Sequence, residues 1–255
     1  MNLITKNPFL VFALSLVVLW ISAQIGASFR KNRRDIETGG RENLGVILGA
    51  TLTLLGLIIG FSFSMAVNRY DQRKDLEEAE ANAIGTEYVR ADLLAAVDAA
   101  RARTLLRNYL DDRILFYNTR DALQLRKINA STARLQTDLW SAVRAPAAAQ
   151  PTAVAVFTLS GMNDVLNSQG YTQAAWLNRI PSAAWGLMAA ISICSNLLLG
   201  YYASRVVTQP LLFLVLPLVL SISFFLIADI DSPRGGIIRV HPQNLITLSE
   251  SLPAS

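Results

Sequence analysis

Four long stretches of this chain carry no charged residue: those between Lys6 and Arg30, between Glu42 and Arg69, between Arg179 and Arg205, and between Arg205 and Asp229. Each is longer than the roughly 20 residues a helix needs to cross the hydrocarbon core of a bilayer. Four transmembrane helices are therefore expected, over about 8–28, 44–67, 182–203 and 208–228, in an all-α integral membrane protein. A hydrophobic content of 52%, a charged content of 16% and a mean hydropathy of +0.35 agree with that class. Pro210 suits the first turn of the last span, and Pro217 should kink it. The basic run Arg30–Asp35 follows the first apolar stretch instead of preceding it, so this span is expected to stay in the protein.

The residue inventory excludes several functions. One cysteine and one histidine cannot supply a His/Cys metal cluster or a disulfide framework. Cys194, inside an apolar run, reads as a small buried hydrophobe. The net charge of +4 is spread over mixed acids and bases, which gives no nucleic-acid footprint. No Ser/His/Asp set and no phosphate loop appear, and the Gly-Gly pairs at 39–40 and 235–236 are too little to make one. Hence no enzyme, no metal and no cofactor is expected.

Between the second and third spans lies a polar stretch rich in Ala, Leu, Arg and Glu, a helix-forming composition. Leu105, Leu106, Tyr109, Leu110 and Ile114 recur at helical spacing, as do Leu135, Leu139 and Val143, so amphipathic helices packed on one another are expected. Two prolines in 145–152 suggest a break between helices, and 160–170 reads as a short helix ended by Gly170. The organisation is then residues 1–67 (two spans and a basic loop), 68–180 (a helical extramembrane domain), 181–228 (two spans) and 229–255 (a C-terminal segment).

With four spans, the second and fourth helices leave the membrane on the same face as the helical domain. Asp229 and Asp231 sit at the end of the last span, where the helix dipole disfavours a carboxylate. Arg69, Arg73 and Lys74 emerge on that same face and are the bases expected to offset them, in one charge cluster at the membrane exit. Absolute orientation stays open. The short loop 30–41 and Arg205 place the domain outside by charge count, and Arg69, Arg73, Lys74 and Arg179 nearly cancel that count.

In the second span Gly45, Gly49, Thr53, Gly56, Gly60 and Ser64 are spaced 4, 4, 3, 4 and 4 apart. At about 100° per residue they share an arc of roughly 100°. One reading is close helix packing on Gly45, Gly49, Gly56 and Gly60. The other is a face lining a narrow conduit, with Phe61 or Phe63 as an apolar constriction and Ser64 and Asn68 beyond it. Past Arg69 the helical pattern continues without proline to at least residue 84. Glu77, Glu78 and Glu80 there are either a solvated face or an acidic vestibule ring.

The stretch from Gly60 to Leu94, together with Ala228–Val240, closely resembles bacterial bestrophin-like membrane proteins, and the likeness covers most of the chain. More distantly, Gly60-Phe61 with Arg69-Tyr70, and Asp231, Pro233 and Gly235, resemble elements of the bestrophin ion channels. That resemblance implies four spans, a cytosolic helical domain, and a homo-oligomer, in that family a pentamer, around one central pore. The functional expectation is a pore-forming subunit in the bacterial inner membrane, with lipid, inorganic ions and copies of itself as partners. The alternative is a non-conducting four-span scaffold or sensor whose helical domain binds a partner protein.

Overall fold

The computed structural model describes residues 7–31, 38–203 and 212–253, and every regular element among them is helical. The order is α1 (Pro8–Lys31), α2 (Thr38–Arg90), a one-turn 3-10 helix (Ala91–Leu93), α3 (Ala96–Asn118), α4 (Ala122–Ala149), α5 (Ala153–Leu177), α6 (Ser182–Ala203), α7 (Leu212–Asp231) and α8 (Gln243–Ser251). Among the described residues four helices are long and apolar enough to cross a membrane. The protein is a multi-pass membrane protein. Most of the basic loop after α1, Arg205 and Pro210 lie outside the described residues; Pro217 lies inside α7.

The chain divides into two compact units. The membrane unit takes the residues up to Arg69 and Arg179–Arg239; the helical unit takes Tyr70–Asn178 and Val240–Ser255. The C-terminal stretch 229–255, expected as one segment, is thus shared between them.

In the membrane unit α1 packs on α6 and α7. The closest approach is at Gly26 of α1 and Gly200 of α6. A β-carbon on Gly26 would overlap the Leu197 carbonyl oxygen, and one on Gly200 would overlap the carbonyl of Ala23. Absent side chains let the two backbones touch, which is how helices associate in lipid. Phe225 of α7 stacks on Phe9 and Phe12 with ring centroids 5.3 and 6.3 Å away. Cys194 is exposed on α6, contrary to the expected burial, because the inward face of that helix is taken by Ser192, Ser195 and Asn196.

In the helical unit α3 packs on α4, and α4 on α5. Their core gathers Ile84, Leu106, Tyr109, Leu110, Phe116, Leu139, Met162, Val165 and Trp176. Asp121 and Thr152 cap α4 and α5 by accepting from Gln124 N and Ala155 N. The break between these helices falls at 150–152, and Pro146 is accommodated in the last turn of α4. Gly170 does not end a helix: α5 runs on to Leu177, because the buried row Met162, Val165, Ser168, Thr172, Trp176 continues past it and outweighs the roughly 1 kcal/mol cost of one glycine.

Candidate functional site

Two features of the membrane unit concern function: the end of α7, and the outward face of α2. At the first, Asp229 and Asp231 are both buried. The Asp229 carboxylate accepts from the backbone N–H groups of Ile237 (2.7 Å) and Ile238 (2.8 Å), folding the Ser-Pro-Arg-Gly-Gly turn back onto the helix end. Gly236 is required there, since a β-carbon would press on the Asp229 backbone oxygen and side chain. Asp231 accepts from the N–H of Ile180, at 3.1 and 3.3 Å to its two oxygens, and so holds the chain entering α6. Arg69 lies 3.8 Å from it.

Of the expected five-residue charge cluster, the pair described is Arg69 with Asp231. Asp229 is neutralised by amides, whose N–H dipoles offset a carboxylate as a base would. Arg73 belongs to the helical unit, where it is buried and donates to the carbonyls of Ala175 and Asn178, both at 3.2 Å, satisfying the C-terminal end of α5. Lys74 is exposed. Sequence reasoning missed Arg179, whose guanidinium is pushed down by burial and partly restored by the Asp231 charge.

Along α2 in the membrane unit, Leu48, Leu55, Ser62 and Ala66 are buried, while Gly49, Thr53, Gly56, Gly60, Ser64 and Asn68 are exposed. β-carbons built on Gly49, Gly56 or Gly60 would meet nothing within 4 Å, and only Gly45 abuts another helix, at Tyr202. Within the chain the stripe is thus no packing surface, and the close crossing lies at Gly26 and Gly200 instead. Phe61 (64% exposed) and Phe63 (41% exposed) flank the open stripe on either side.

In the helical unit, the expected vestibule of Glu77, Glu78 and Glu80 is corrected for two of the three. Glu80 is fully buried, 2.5 Å from Arg113 Nε, and accepts from Tyr117 and Thr172 at 3.3 Å. Glu77 is buried too and accepts from Leu245 N (2.9 Å) and Asn244 Nδ2 (2.7 Å), so it caps the start of α8. Only Glu78 is exposed. The physical reason is phase: Arg73, Glu77, Glu80, Ile84, Glu87 and Ala91 alternate four and three residues apart, the spacing of an inward-facing seam. Burial pulls the Arg113 guanidinium down, and the Glu80 charge and hydrogen bond more than reverse that.

Among the described residues no group of three or more His, Cys, Asp or Glu is arranged to hold a metal ion. What the chain offers is an all-helical membrane unit with one open, small-residue helix face and a carboxylate-latched exit. Comparison with known proteins decides the family: a model of the bestrophin-like domain matches residues 9–245.

The chain belongs to the bestrophin-like family. Its fold is similar to crystal structures of a bacterial bestrophin homologue from Klebsiella pneumoniae. For one point mutant the TM-score is 0.66 at 13% identity, covering 94% of this chain and 96% of that one. For the structure phased on zinc it is 0.61 at 14% identity, covering 96% and 99%. A second point mutant gives 0.64 at 12% identity, covering 93% and 98%. No curated protein matches the bestrophin-like chain.

Proposed function

We propose that this bestrophin-like chain is the pore-forming subunit of a homo-oligomeric ion channel of the bacterial inner membrane, with its helical domain cytoplasmic. The observation that carries the reading is the open face of α2, where Gly49, Thr53, Gly56, Gly60, Ser64 and Asn68 are exposed and the three glycines face empty space. A lone chain gains nothing from a small, partly polar helix face turned to lipid tails; around an axis shared with other copies, the same face lines a narrow wet path. Phe61 or Phe63 forms the constriction, since an apolar ring gates by dewetting. Family membership supports the channel reading over the scaffold reading.

The test is ion flux from liposomes holding the purified chain, with oligomer mass measured on the same sample. Flux dependent on the protein is expected, and Phe61→Ala or Phe63→Ala should raise it several-fold by widening and wetting the constriction. A monomer or dimer that carries no current across a range of voltage, calcium and pH would leave the scaffold as the function.

A further inference from the structure

One end of the helical unit is marked by the chain itself. Tyr70 on α2 and Asn178 after α5 are residues through which this unit joins the membrane unit. The charge-free run of α2 ends at Arg69, so any part of the helical unit level with Tyr70 lies beside the bilayer surface.

Contacts inside the unit set that level for the other helices. Short connections make successive helices antiparallel. Glu80 of α2 bonds Arg113 of α3 and Thr172 of α5, and Gln136 of α4 donates to Gln169 of α5 at 3.3 Å. At 1.5 Å per residue, Tyr70 lies about 15 Å from Glu80 toward the junction, while α3 and α5 end about 7 Å past Arg113 and Thr172. α4 starts at Ala122, about 21 Å from Gln136 toward the same end. Its first turn therefore reaches past the ends of α3 and α5, to within about one helical turn of the Tyr70 level.

That corner is basic and partly apolar. Arg120, between α3 and α4, is exposed, as are Leu123, Arg126 and Lys127 on α4, with Leu123 at 61%. The three α4 positions share an arc of about 100°, on the side of the helix away from its buried Ile128 and Leu139. None of the three bases is in an ion pair among the described residues. The acid of the corner, Asp121, is engaged with its own helix and accepts from Gln124 N at 2.7 Å. Asp71 and Asp75, exposed near the same level, stand on α2, outside this corner.

From this we infer that the α3–α4 corner docks on anionic lipid headgroups of the bilayer beside it, with Arg120, Arg126 and Lys127 meeting the phosphates and Leu123 entering the interface. Long basic side chains reach toward headgroups while an apolar neighbour settles among the upper acyl carbons. Each base close to an anionic surface is worth about a fivefold preference for it. The cytoplasmic leaflet is the anionic one, and the proposed orientation puts the helical unit on that side.

The test uses the full chain in vesicles, with Cys194→Ser as background and a fluorophore on Leu123→Cys. Vesicles of phosphatidylcholine alone are compared with vesicles containing a third phosphatidylglycerol, each with a small share of lipid carrying a headgroup nitroxide. Quenching should be at least about threefold stronger in the anionic vesicles. It should fall to the neutral level in high salt and in the combined variant Arg120→Gln, Arg126→Gln, Lys127→Gln. A label on Ala148→Cys, near the far end of α4, should ignore lipid charge. Circular dichroism identifies a variant that has lost its fold, and the salt dependence with the native bases then decides the matter alone. Equal quenching in both lipids would overturn the inference. So would a Leu123 label shielded from aqueous acrylamide and nitroxide alike, which would mean that protein covers the corner. If inorganic phosphate abolishes the difference where chloride of equal ionic strength does not, the corner takes a free anion and the inference is wrong. Quenching does not depend on ion flux, so this inference and the channel reading can fail separately.

Discussion

In the membrane unit the tightest contact between helices is made where side chains are missing, at Gly26 and Gly200. In the helical unit the innermost contact is made around an ion pair, Arg113 with Glu80, both completely buried. The difference follows from the solvent. Lipid tails are as apolar as leucine, so helices gain by approach and dispersion instead of by expelling oil from water, and a charge there is expensive. The helical unit instead gathers an apolar core under a charged surface, and apolar burial there supplies a driving force that can carry a buried pair. Arg113 is held by Glu80 through Nε and Nη2 and lies over the Phe116 ring, 4.4 Å from its centre, while its Nη1 is buried without a hydrogen-bond partner. Such a pair fixes which helices meet more than it stabilises their meeting.

The contrast can be broken hardest in the helical unit. Arg113→Leu strands the Glu80 carboxylate in the core and should cost about 3–5 kcal/mol, while Arg113→Leu with Glu80→Leu should recover most of the loss. Chemical denaturation followed by circular dichroism measures both, and a double variant no better than the single would mean that the charges themselves stabilise the bundle.

A smaller effect is expected in the membrane unit. Gly26→Ala or Gly200→Ala drives a methyl group into a facing backbone and should cost roughly 1–3 kcal/mol, the range for overpacking. Gly56→Ala, on the open face, should leave the stability of the isolated subunit unchanged. Thermal stability in detergent separates the two sets, and equal losses would show that the open face is packed within the chain after all.

A pH-dependent effect is expected at Glu87, which is buried in the helical unit with no hydrogen-bond partner on either carboxyl oxygen. Burial pushes its acid group up to about 8 from 4.5; the Arg90 charge pulls it back and Asp164 adds to the rise. A carboxyl that holds its proton more tightly when folded contributes stability fully present below about pH 4.5 and lost as pH rises through about 8. Stability should therefore fall between pH 5 and pH 8.5, and Glu87→Gln should flatten that fall. An unchanged pH profile in the glutamine variant would assign it to another group.

The four spans were legible because nothing but a membrane tolerates charge-free runs of that length, and the continuation of α2 because no proline interrupts 69–90. The approach of Arg69 to Asp231 was legible from the membrane face they share, but the amide contacts of Asp229 and Asp231 were not. A carboxylate that accepts from backbone amides leaves no partner residue in the sequence, and the partners of Asp229 are supplied by a turn whose path depends on Gly236. Gly26 and Gly200 are far apart in the chain, whereas the regular stripe on α2 drew attention by its spacing alone. Glu77 and Glu80 were misread because adjacent acids look like a solvated face, although Ile84 and Ala91 in the same four-three phase marked that seam as inward.

The bond between Ile180 and Asp231 also has a consequence in time. The amide that opens α6 is synthesised 51 residues before the carboxylate that accepts its hydrogen bond. Until Asp231 has been made, the Ile180 amide lacks the carboxylate that holds it, so this bond forms only after the fourth span has been synthesised. A chain cut short before residue 231 has no means of making that closure, so the last helix acts as the completion signal for the membrane unit.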